Sequence, residues 1–431
     1  MAEYITKLQL DASVGTSIKQ SAKEAGREVA ENTIKNLSQP PSFFLLFSTT
    51  HYKDNGGFQE LLNGVWEVLP KGTPLLGGTV AGFLNKDGCY AKGVTAIAVS
   101  YSNMDITIGY GKNTKRNPKK AARQCAQMIK TGLKNRYKNK FLFSFVSGAV
   151  IPNIPGVKSG SIISSRVLAK IMLSMLSISQ KIPQKGLGLE EDVLKELTKE
   201  LPNFGLLHGS TIDISGTMNY QFFNRKALKN SIVCLGLETD IPFYQNFATG
   251  AEKTDVTFKI TDITKNRQII KKINNKPAFR EFLRLMNWSE DSVYELKWID
   301  RASRFPLAFN KKDKIVLRPS TIIMGDFMGC MGKFENDDVF VANMTPSKMI
   351  QAVDEVLTCK KPEFGLLVSC MARQSFLGYK VFESQEKLKR YFKNKSFLLI
   401  FTGAEAIYNP EIGLYYLNET ITSTIFVDNT N

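Results

Sequence analysis

The chain has 431 residues with 57 Lys or Arg, 40 Asp or Glu and two His, which gives a net charge of +17 at neutral pH. Hydrophobic residues make up 43% of the chain, enough to offset the entropy of folding, so the composition excludes a disordered or collagen-like protein. The length predicts roughly two to three domains, and the positive charge leaves nucleic acid, an anionic membrane surface and acidic small molecules as candidate partners.

The cysteines and the N-terminus indicate a cytoplasmic protein. The six cysteines lie far apart, with no C-x-x-C pair and no cluster with histidine at the spacing of metal ligands. We therefore expect neither a disulfide framework nor a zinc site. The first residues lack the basic region and apolar run of a signal peptide, and no apolar stretch reaches the roughly 18–20 residues of a spanning helix. These features predict a reducing, cytoplasmic environment.

A repeated pattern of elements runs along the chain. Apolar runs that end in small polar residues predict three buried strands, at 43–48, 141–147 and 364–370. Each follows a predicted helix, over 17–37, 117–133 and 345–357. The second and third helices open with Asn117-Pro118 and Thr345-Pro346, and proline suits the first helical position.

Each buried strand is followed by a helix and two further strands. The helices are predicted at 57–69, 191–200 and 385–392, the second strands at 74–82, 204–211 and 397–405, and the third strands at 93–100, 231–237 and 420–427. The repeated unit is therefore helix–strand–helix–strand–strand. This alternation predicts an α/β fold in which three related units form mixed sheets covered by helices.

The carboxyl ends of the buried strands are the predicted ligand site. Ligands of such sheets bind outside these ends, where loops and main-chain N–H groups converge. The small or polar residues at those ends include Gly78, Thr79, Ser210, Ser369, Cys370 and Glu405. We expect a small-molecule ligand there.

The same segments carry a family resemblance. The stretches 76–82, 209–211 and 219–224 resemble the N-terminal FIST domain, and 269–278 is similar to the end of that domain. The stretches 369–373, 402–405 and 417–420 resemble the FIST C-terminal domain. The resemblance implies a FIST N domain over 1–240 with an insertion helix near 161–181, linking strands and a helix over 241–309, and a FIST C domain over 310–431.

The resemblance also implies a role for the protein. FIST proteins are cytoplasmic sensory or ligand-binding modules that are suspected of binding small molecules such as amino acids, and some relatives bind haem. The sequence shows no fused output domain, so we expect any signal to pass through an unidentified partner protein.

Several side chains are candidate ligand contacts. Arg373 follows a buried strand and is the predicted partner of an anion. The thiol of Cys370 beside it is either a ligand contact or a packing residue. The polar groups that could hydrogen-bond an ammonium or amide, or else cap a turn, are Glu405, Asn418, Asn219 and Tyr220.

The two histidines argue against an enzyme. Neither His51 nor His208 has an evident aspartate to orient it, so we predict a non-enzymatic protein, with Cys370 as a nucleophile the enzymatic alternative. We predict no cofactor; haem held by His51 or His208 is the alternative.

The basic residues give two predictions. The clusters at 112–120, 134–140, 310–314 and 387–395 have few interleaved aromatic residues to stack bases, so we expect solvated faces and no nucleic acid partner. The stretch 161–181 instead predicts an amphipathic helix whose polar stripe is Arg166, Lys170, Ser174, Ser177 and Lys181. It could lie in an anionic membrane interface, or act as a lid or docking helix.

The sequence therefore predicts a non-enzymatic sensory protein that binds a small anionic or zwitterionic, amino-acid-like metabolite and signals through a partner. A membrane-peripheral scaffold that uses the helix 161–181 and a haem-based gas sensor are the alternatives.

Overall fold

The computed structural model describes residues 10–150, 162–163, 165–213, 218–291 and 298–428. The α-helices in those ranges are α1 (Ala22–Ile34), α2 (Gly57–Trp66), α3 (Pro118–Gly132), α4 (Arg166–Lys181), α5 (Glu190–Glu200), α6 (Ala278–Leu285), α7 (Trp298–Arg304), α8 (Pro346–Glu355), α9 (Met371–Leu377) and α10 (Val381–Phe392).

Three sheets of six strands each share one design. In spatial order, the first sheet contains β1 (Asp11–Ser17), β6 (Val94–Ser100), β2 (Phe43–Ser48), β3 (Leu75–Thr79), β11 (Gln221–Phe223) and β12 (Lys226–Leu228). The second contains β7 (Met104–Lys112), β13 (Ser231–Thr239), β8 (Asn139–Ser147), β10 (Gly205–Thr211), β25 (Glu405–Asn409) and β26 (Gly413–Leu417). The third contains β14 (Phe243–Ala248), β27 (Ile421–Val427), β23 (Pro362–Cys370), β24 (Ser396–Thr402), β4 (Gly82–Leu84) and β5 (Cys89–Tyr90).

The predicted α/β fold of three related units is confirmed. The units are α1-β2-α2-β3-β6, α3-β8-α5-β10-β13 and α8-β23-α10-β24-β27. In each unit the two strands that follow helices are parallel neighbours, and the third strand pairs antiparallel with the first. The two proline starts also agree, since Pro118 and Pro346 occupy the first turns of α3 and α8, where the Thr345 hydroxyl accepts a hydrogen bond from the Lys348 amide. The start predicted for the first helix is wrong: α1 begins at Ala22 rather than at residue 17, because the chain up to Ser17 forms β1 and pairs with β6.

The structure adds an exchange of hairpins between the units. Each unit has a hairpin between its second and third strands, namely β4–β5, β11–β12 and β25–β26. The hairpin of the first unit pairs with β24 of the third, that of the second with β3 of the first, and that of the third with β10 of the second. The exchange is therefore cyclic, and each sheet is completed by a neighbouring unit.

Phenylalanine side chains fill the space between the three sheets. Phe47 of β2 packs against Phe145 of β8 with ring centroids 5.0 Å apart, which joins the first two units. Phe141 of β8 meets Phe426 of β27 at 5.5 Å, which joins the second unit to the third. All four rings are buried, and aromatic pairs at these separations stabilise a core beyond the burial of their area.

A fourth sheet is formed mainly by the part of the chain that lies between β14 and α8 in sequence. Its strands, in spatial order, are β19 (Lys314–Arg318), β18 (Leu307–Lys311), β22 (Asp338–Met344), β15 (Ala251–Ile263), β16 (Ile269–Ile273), β21 (Phe327–Cys330), β20 (Ser320–Met324) and β9 (Ile162–Ile163), with β17 (Lys276–Pro277) paired to β16. The segment 241–309, predicted to link the domains, thus contributes β14 to the third sheet and several strands to the fourth. The proposed domain boundaries stay predictions.

The predicted helix at 161–181 begins at Arg166 rather than at residue 161, which lies outside the described residues. The preceding Ile162 and Ile163 form β9, which pairs in parallel with β20. Ala169 of α4 is buried against Ile163 and Met324, so one side of this helix packs on the fourth sheet. Lys170, Ser174 and Lys181 of the predicted stripe are exposed, whereas the side chains of Arg166 and Ser177 lie outside the described ones.

None of the helices in the described ranges is long and apolar enough to cross a membrane.

Candidate functional site

A buried polar network lies at the strand ends of the second unit. The Asn219 side-chain oxygen accepts hydrogen bonds from the Ser147 hydroxyl at 2.8 Å and the Gln221 amide at 3.1 Å. The Lys115 ammonium donates to the same Ser147 hydroxyl at 3.0 Å and to the Gly148 carbonyl at 2.8 Å. The predicted contact Asn219 is therefore held by protein groups of β8 and β11.

Two charged members of this network were not among the predicted residues. Lys115 is only 2% exposed, and burial lowers its pKa to about 8, opposed by the nearby Glu190 carboxylate. Burial also raises the pKa of Glu190, against the Lys115 ammonium and the Ser210 hydroxyl, which favour its charged form. The expectation that the basic cluster 112–120 is solvated is thus wrong for Lys115, because the turn after β7 directs this residue inward.

Four of the predicted residues lie where an exchanged hairpin meets the neighbouring unit. The Thr79 amide donates to the Tyr220 carbonyl at 2.9 Å, and the Tyr220 amide donates back to the Thr79 hydroxyl at 3.0 Å. A Cβ on Gly78 would lie 2.6 Å from that same carbonyl, so the close approach of β11 requires glycine. The Ser210 amide donates to the Ala404 carbonyl at 2.9 Å, which links the second and third units.

Arg373 of α9 lies in the interior of the third unit. Its guanidinium donates to the carbonyls of Thr249 and Met349, both at 2.7 Å, and to the Glu419 carbonyl at 3.5 Å. Burial lowers the pKa of Arg373 to about 10, although Cys370, Glu405 and Glu419 oppose the shift. Arg373, the predicted partner of an anion, therefore already uses three of its N–H groups in hydrogen bonds to main-chain carbonyls.

Glu405 and Cys370 are buried close enough to Arg373 to interact with its charge. The carboxylate of Glu405 is fully buried and accepts hydrogen bonds from the hydroxyls of Thr420 at 2.9 Å and Thr402 at 3.4 Å. Burial raises the pKa of Glu405 to about 8. Burial, with Glu405 and Glu419 adding to it, raises the pKa of the Cys370 thiol well above its ordinary value, so Arg373 does not produce a thiolate.

Asn418 and Glu419 are the residues of this region whose buried side-chain oxygens lack hydrogen-bond partners among the described residues. Both side chains are 1% exposed, and neither Glu419 oxygen nor the Asn418 side-chain oxygen has a hydrogen-bond partner among the described residues. Burial raises the pKa of Glu419 well above its usual range, and the negative charge of Glu405 adds to the shift, whereas Ser303 and Arg373 favour the charged form. Buried polar atoms in proteins are almost always satisfied, so three orphaned acceptors on adjacent residues indicate missing donors.

Sequence reasoning included Asn418 but missed Glu419. The available signal was a single acidic residue in the otherwise uncharged segment 413–427. The structure brings Cys370, Arg373, Glu405 and Glu419 into one electrostatic cluster, and the Ser369 hydroxyl donates to the Thr420 carbonyl beside it at 3.3 Å. The pairing of β10 with β25, which sets Gly209 opposite Glu405, joins this cluster to the second unit.

The two histidines differ in their fit to haem. Both nitrogens of His208 are engaged, with the Ser144 hydroxyl at 3.0 Å and the Ser210 hydroxyl at 3.3 Å, and burial lowers its pKa to about 3. His208 therefore does not fit an axial ligand. His51 has a buried Nε2 that lacks a hydrogen-bond partner among the described residues. Within the part of the chain that the structure describes, no group of three or more His, Cys, Asp or Glu could hold a metal ion.

Comparison with known proteins identifies a family. A family model described as FIST N domain matches residues 42–276. That match ends before the C-terminal segments, so their resemblance to a FIST C domain stays a prediction. No curated protein matches the chain.

Two solved structures show weak similarity to this chain. A cyanuric acid hydrolase from A. caulinodans is 9% identical with a TM-score of 0.24, over 58% of this chain and 79% of that one. PurLQS from Thermotoga maritima is 11% identical with a TM-score of 0.20, over 97% of this chain and 73% of that one. Scores this low establish no common fold.

The substitution Glu405→Gln is expected to weaken the pH dependence of folding. The pKa of Glu405 in the folded protein, about 8, lies above its ordinary value. The protonated side chain therefore stabilises the fold fully when the pH is below that ordinary pKa, and this contribution is lost as the pH rises towards 8. At about 1.4 kcal/mol per pKa unit, the wild type should lose on the order of 3 kcal/mol more than the variant between pH 5 and 8. Urea unfolding at four pH values measures this difference.

The matched control is Glu191→Gln. Its carboxylate is also buried, but Arg318 and Lys195 lower its pKa, so its contribution is lost only as the pH falls below 5. The control should keep the wild-type slope between pH 5 and 8. An unchanged slope in Glu405→Gln would show that Glu405 is ionised throughout.

Proposed function

We propose that the protein, which belongs to the FIST N domain family, is a cytoplasmic sensory protein that binds a small zwitterionic or anionic, amino-acid-like metabolite and signals through a partner protein. The FIST N domain is a sensory, ligand-binding domain, which supports the general role. The ligand class and the site are argued from the third unit.

The observation that carries the proposal is that neither carboxylate oxygen of Glu419 has a hydrogen-bond partner in the part of the chain that the structure describes. Leaving a buried acceptor unsatisfied costs about 1–3 kcal/mol, and more for a charged group. An ammonium group offers three N–H donors and a positive charge. A ligand ammonium at Glu419 and Asn418 would therefore remove a cost that the ligand-free protein bears.

The charges of the cluster suit the rest of an amino acid. Three of the five N–H groups of Arg373 are directed at carbonyls, and the remaining ones would take a ligand carboxylate. A cation beside Glu419 favours its ionised form, so binding would release a proton from a carboxyl whose pKa is raised in the free protein.

The burial of the site supports a sensor. Arg373 and Glu419 are no more than 2% exposed, so a ligand can reach them only after a local opening of the third unit. A ligand that binds one conformation better shifts the equilibrium towards it, and a partner can respond to that change. The protonated Cys370 thiol is a weak nucleophile, which favours binding without chemical conversion.

Thermal unfolding in a panel of amino acids, simple amines and organic acids tests the ligand class. We expect the wild type to be stabilised by ligands that carry an ammonium group, by about 2.7 kcal/mol at a hundred times the dissociation constant. Glu419→Gln should lose this stabilisation because the amide keeps the shape of the side chain but not its charge.

Glu191→Gln again serves as the control, since it removes a buried carboxylate at another place and should respond to the panel like the wild type. A wild type that responds to nothing in the panel, or a Glu419→Gln variant that responds fully, would refute the proposed site.

We infer a second candidate function, peripheral membrane attachment, from the outer face of α4. Val167, Ile171, Met175, Ile178 and Ile182 recur at intervals of three or four residues and are 45–71% exposed. They form one apolar stripe along the helix. Monomeric soluble proteins seldom expose contiguous apolar surface without a binding role.

Lysines border this apolar stripe. Lys170, Lys181 and Lys185 are exposed, and no acidic residue occurs from 106 to 189. An apolar helix face flanked by cations suits the interface of an anionic bilayer, where the lysines lie among headgroups. This arrangement favours attachment to a membrane surface over a lid that covers the protein's own site.

Co-sedimentation with vesicles tests this second function. Ile171→Asp and Ile178→Asp together should abolish pelleting with phosphatidylserine-containing vesicles, because they place charge in the apolar stripe. Phe382→Asp, a control at an exposed apolar residue on α10, should leave pelleting unchanged. Equal pelleting of all variants would exclude attachment through α4.

A further inference from the structure

A groove between the first two units combines aromatic rings with cations. Its first part is a cavity of about 410 Å³ lined by residues that include Trp66, Tyr110, Phe223, Lys71, Lys112 and Arg225. This volume falls within the range of roughly 300–1,000 Å³ that small-ligand pockets occupy. A second cavity of about 870 Å³ runs along α3 and shares Tyr110 and Lys112 with the first, so the two cavities adjoin at these residues, and we refer to them together as the groove.

The groove is strongly positive. None of the described residues that line either cavity is Asp or Glu. The chain from residue 106 to 189, which supplies the second cavity, contains 16 Lys or Arg and no Asp or Glu. Its net charge of +16 is therefore nearly as large as the +17 of the whole protein. The acidic residues nearby are already paired, Glu67 with Lys23 at 2.8 Å and Glu196 with Arg123 at 2.6 Å.

Two aromatic rings of the groove carry a cation on one face. The Arg225 guanidinium lies over the Trp66 ring at 4.6 Å, and the Lys112 ammonium lies over the Tyr110 ring at 5.9 Å. Tyr110 also packs against Phe223 at 4.7 Å, which fixes the orientation of both rings. Arg225 and Lys112 are exposed, so each can turn away from its ring at small cost and meet an anion.

We propose that this groove binds nucleotide units, with a base stacked on Trp66 or Tyr110 and phosphates paired with Lys112, Lys71 and Arg225. Stacking suits any base, and cations along a groove follow a phosphate backbone. A free nucleotide fills the first cavity, and a single strand continues from it into the second. The basic clusters contain few aromatic residues in sequence, but folding brings Trp66 of α2, Tyr110 of β7 and Phe223 of β11 to one cluster.

Fluorescence anisotropy with a labelled 12-nucleotide single strand, and calorimetry with ATP, test the groove in the full-length protein. Tyr110→Ala should weaken oligonucleotide binding by about 10- to 100-fold, and Tyr110→Phe should restore it because the ring is kept. Arg225→Glu, at an exposed position that leaves the fold intact, should weaken binding by a similar factor. Lys53→Ala, an exposed lysine outside the groove, is the charge control and should bind like the wild type.

The arms of the experiment separate the two sources of the ligand. Binding of the oligonucleotide but not of ATP identifies a single strand as the ligand, and comparable binding of both identifies the free nucleotide. In either case the salt dependence of oligonucleotide binding should fall in Lys112→Ala by about 0.7 in the slope of log K against log salt.

Two results would overturn the proposal. One is that neither the oligonucleotide nor ATP binds the wild type. The other is that duplex DNA binds as tightly as the single strand and that Tyr110→Ala and Arg225→Glu change nothing, since binding would then reflect net charge alone.

Discussion

The cyclic exchange of hairpins is the constraint on which the rest of the structure depends. Besides the strand pairing itself, main-chain hydrogen bonds secure it, among them those from Ala81 to Phe401, from Ile212 to Thr79 and from Gly403 to Ser210. Without the neighbouring hairpin, the second buried strand of each unit would be an open sheet edge, which is prone to wrong pairing. Because each unit completes the sheet of another, the strand ends of all three units are brought together and their polar side chains are buried.

This burial explains the chemistry of the candidate site. Carboxylates and thiols near the exchange points, such as Glu405 and Cys370, have raised pKa values because the exchange removes water from the strand ends. Arg373 is held there by main-chain carbonyls and supplies the positive charge that the cluster needs. In this cluster, the side-chain oxygens of Asn418 and Glu419 have no hydrogen-bond partner among the described residues, and this is why we propose a ligand that donates hydrogen bonds.

The helices and buried strands of the three units were predictable because apolar periodicity and proline starts are local signals. The exchanged hairpins were not, since β4, β5 and β11 have only two or three residues each and pair with strands far away in sequence. Lys115 was missed because it stands in a basic run whose other members are mostly exposed. The nucleotide groove could not be predicted either, because its rings come from three separate segments.

Native-state hydrogen exchange of the amides of Ala81, Ile212 and Gly403 tests the exchange of hairpins most directly. If the three units are held together by one cycle, these amides will exchange only through global unfolding, with the same free energy of opening and the same dependence on denaturant. An amide in one unit that exchanges through a smaller opening, with a distinctly lower free energy, would show that its hairpin separates on its own and would contradict the account.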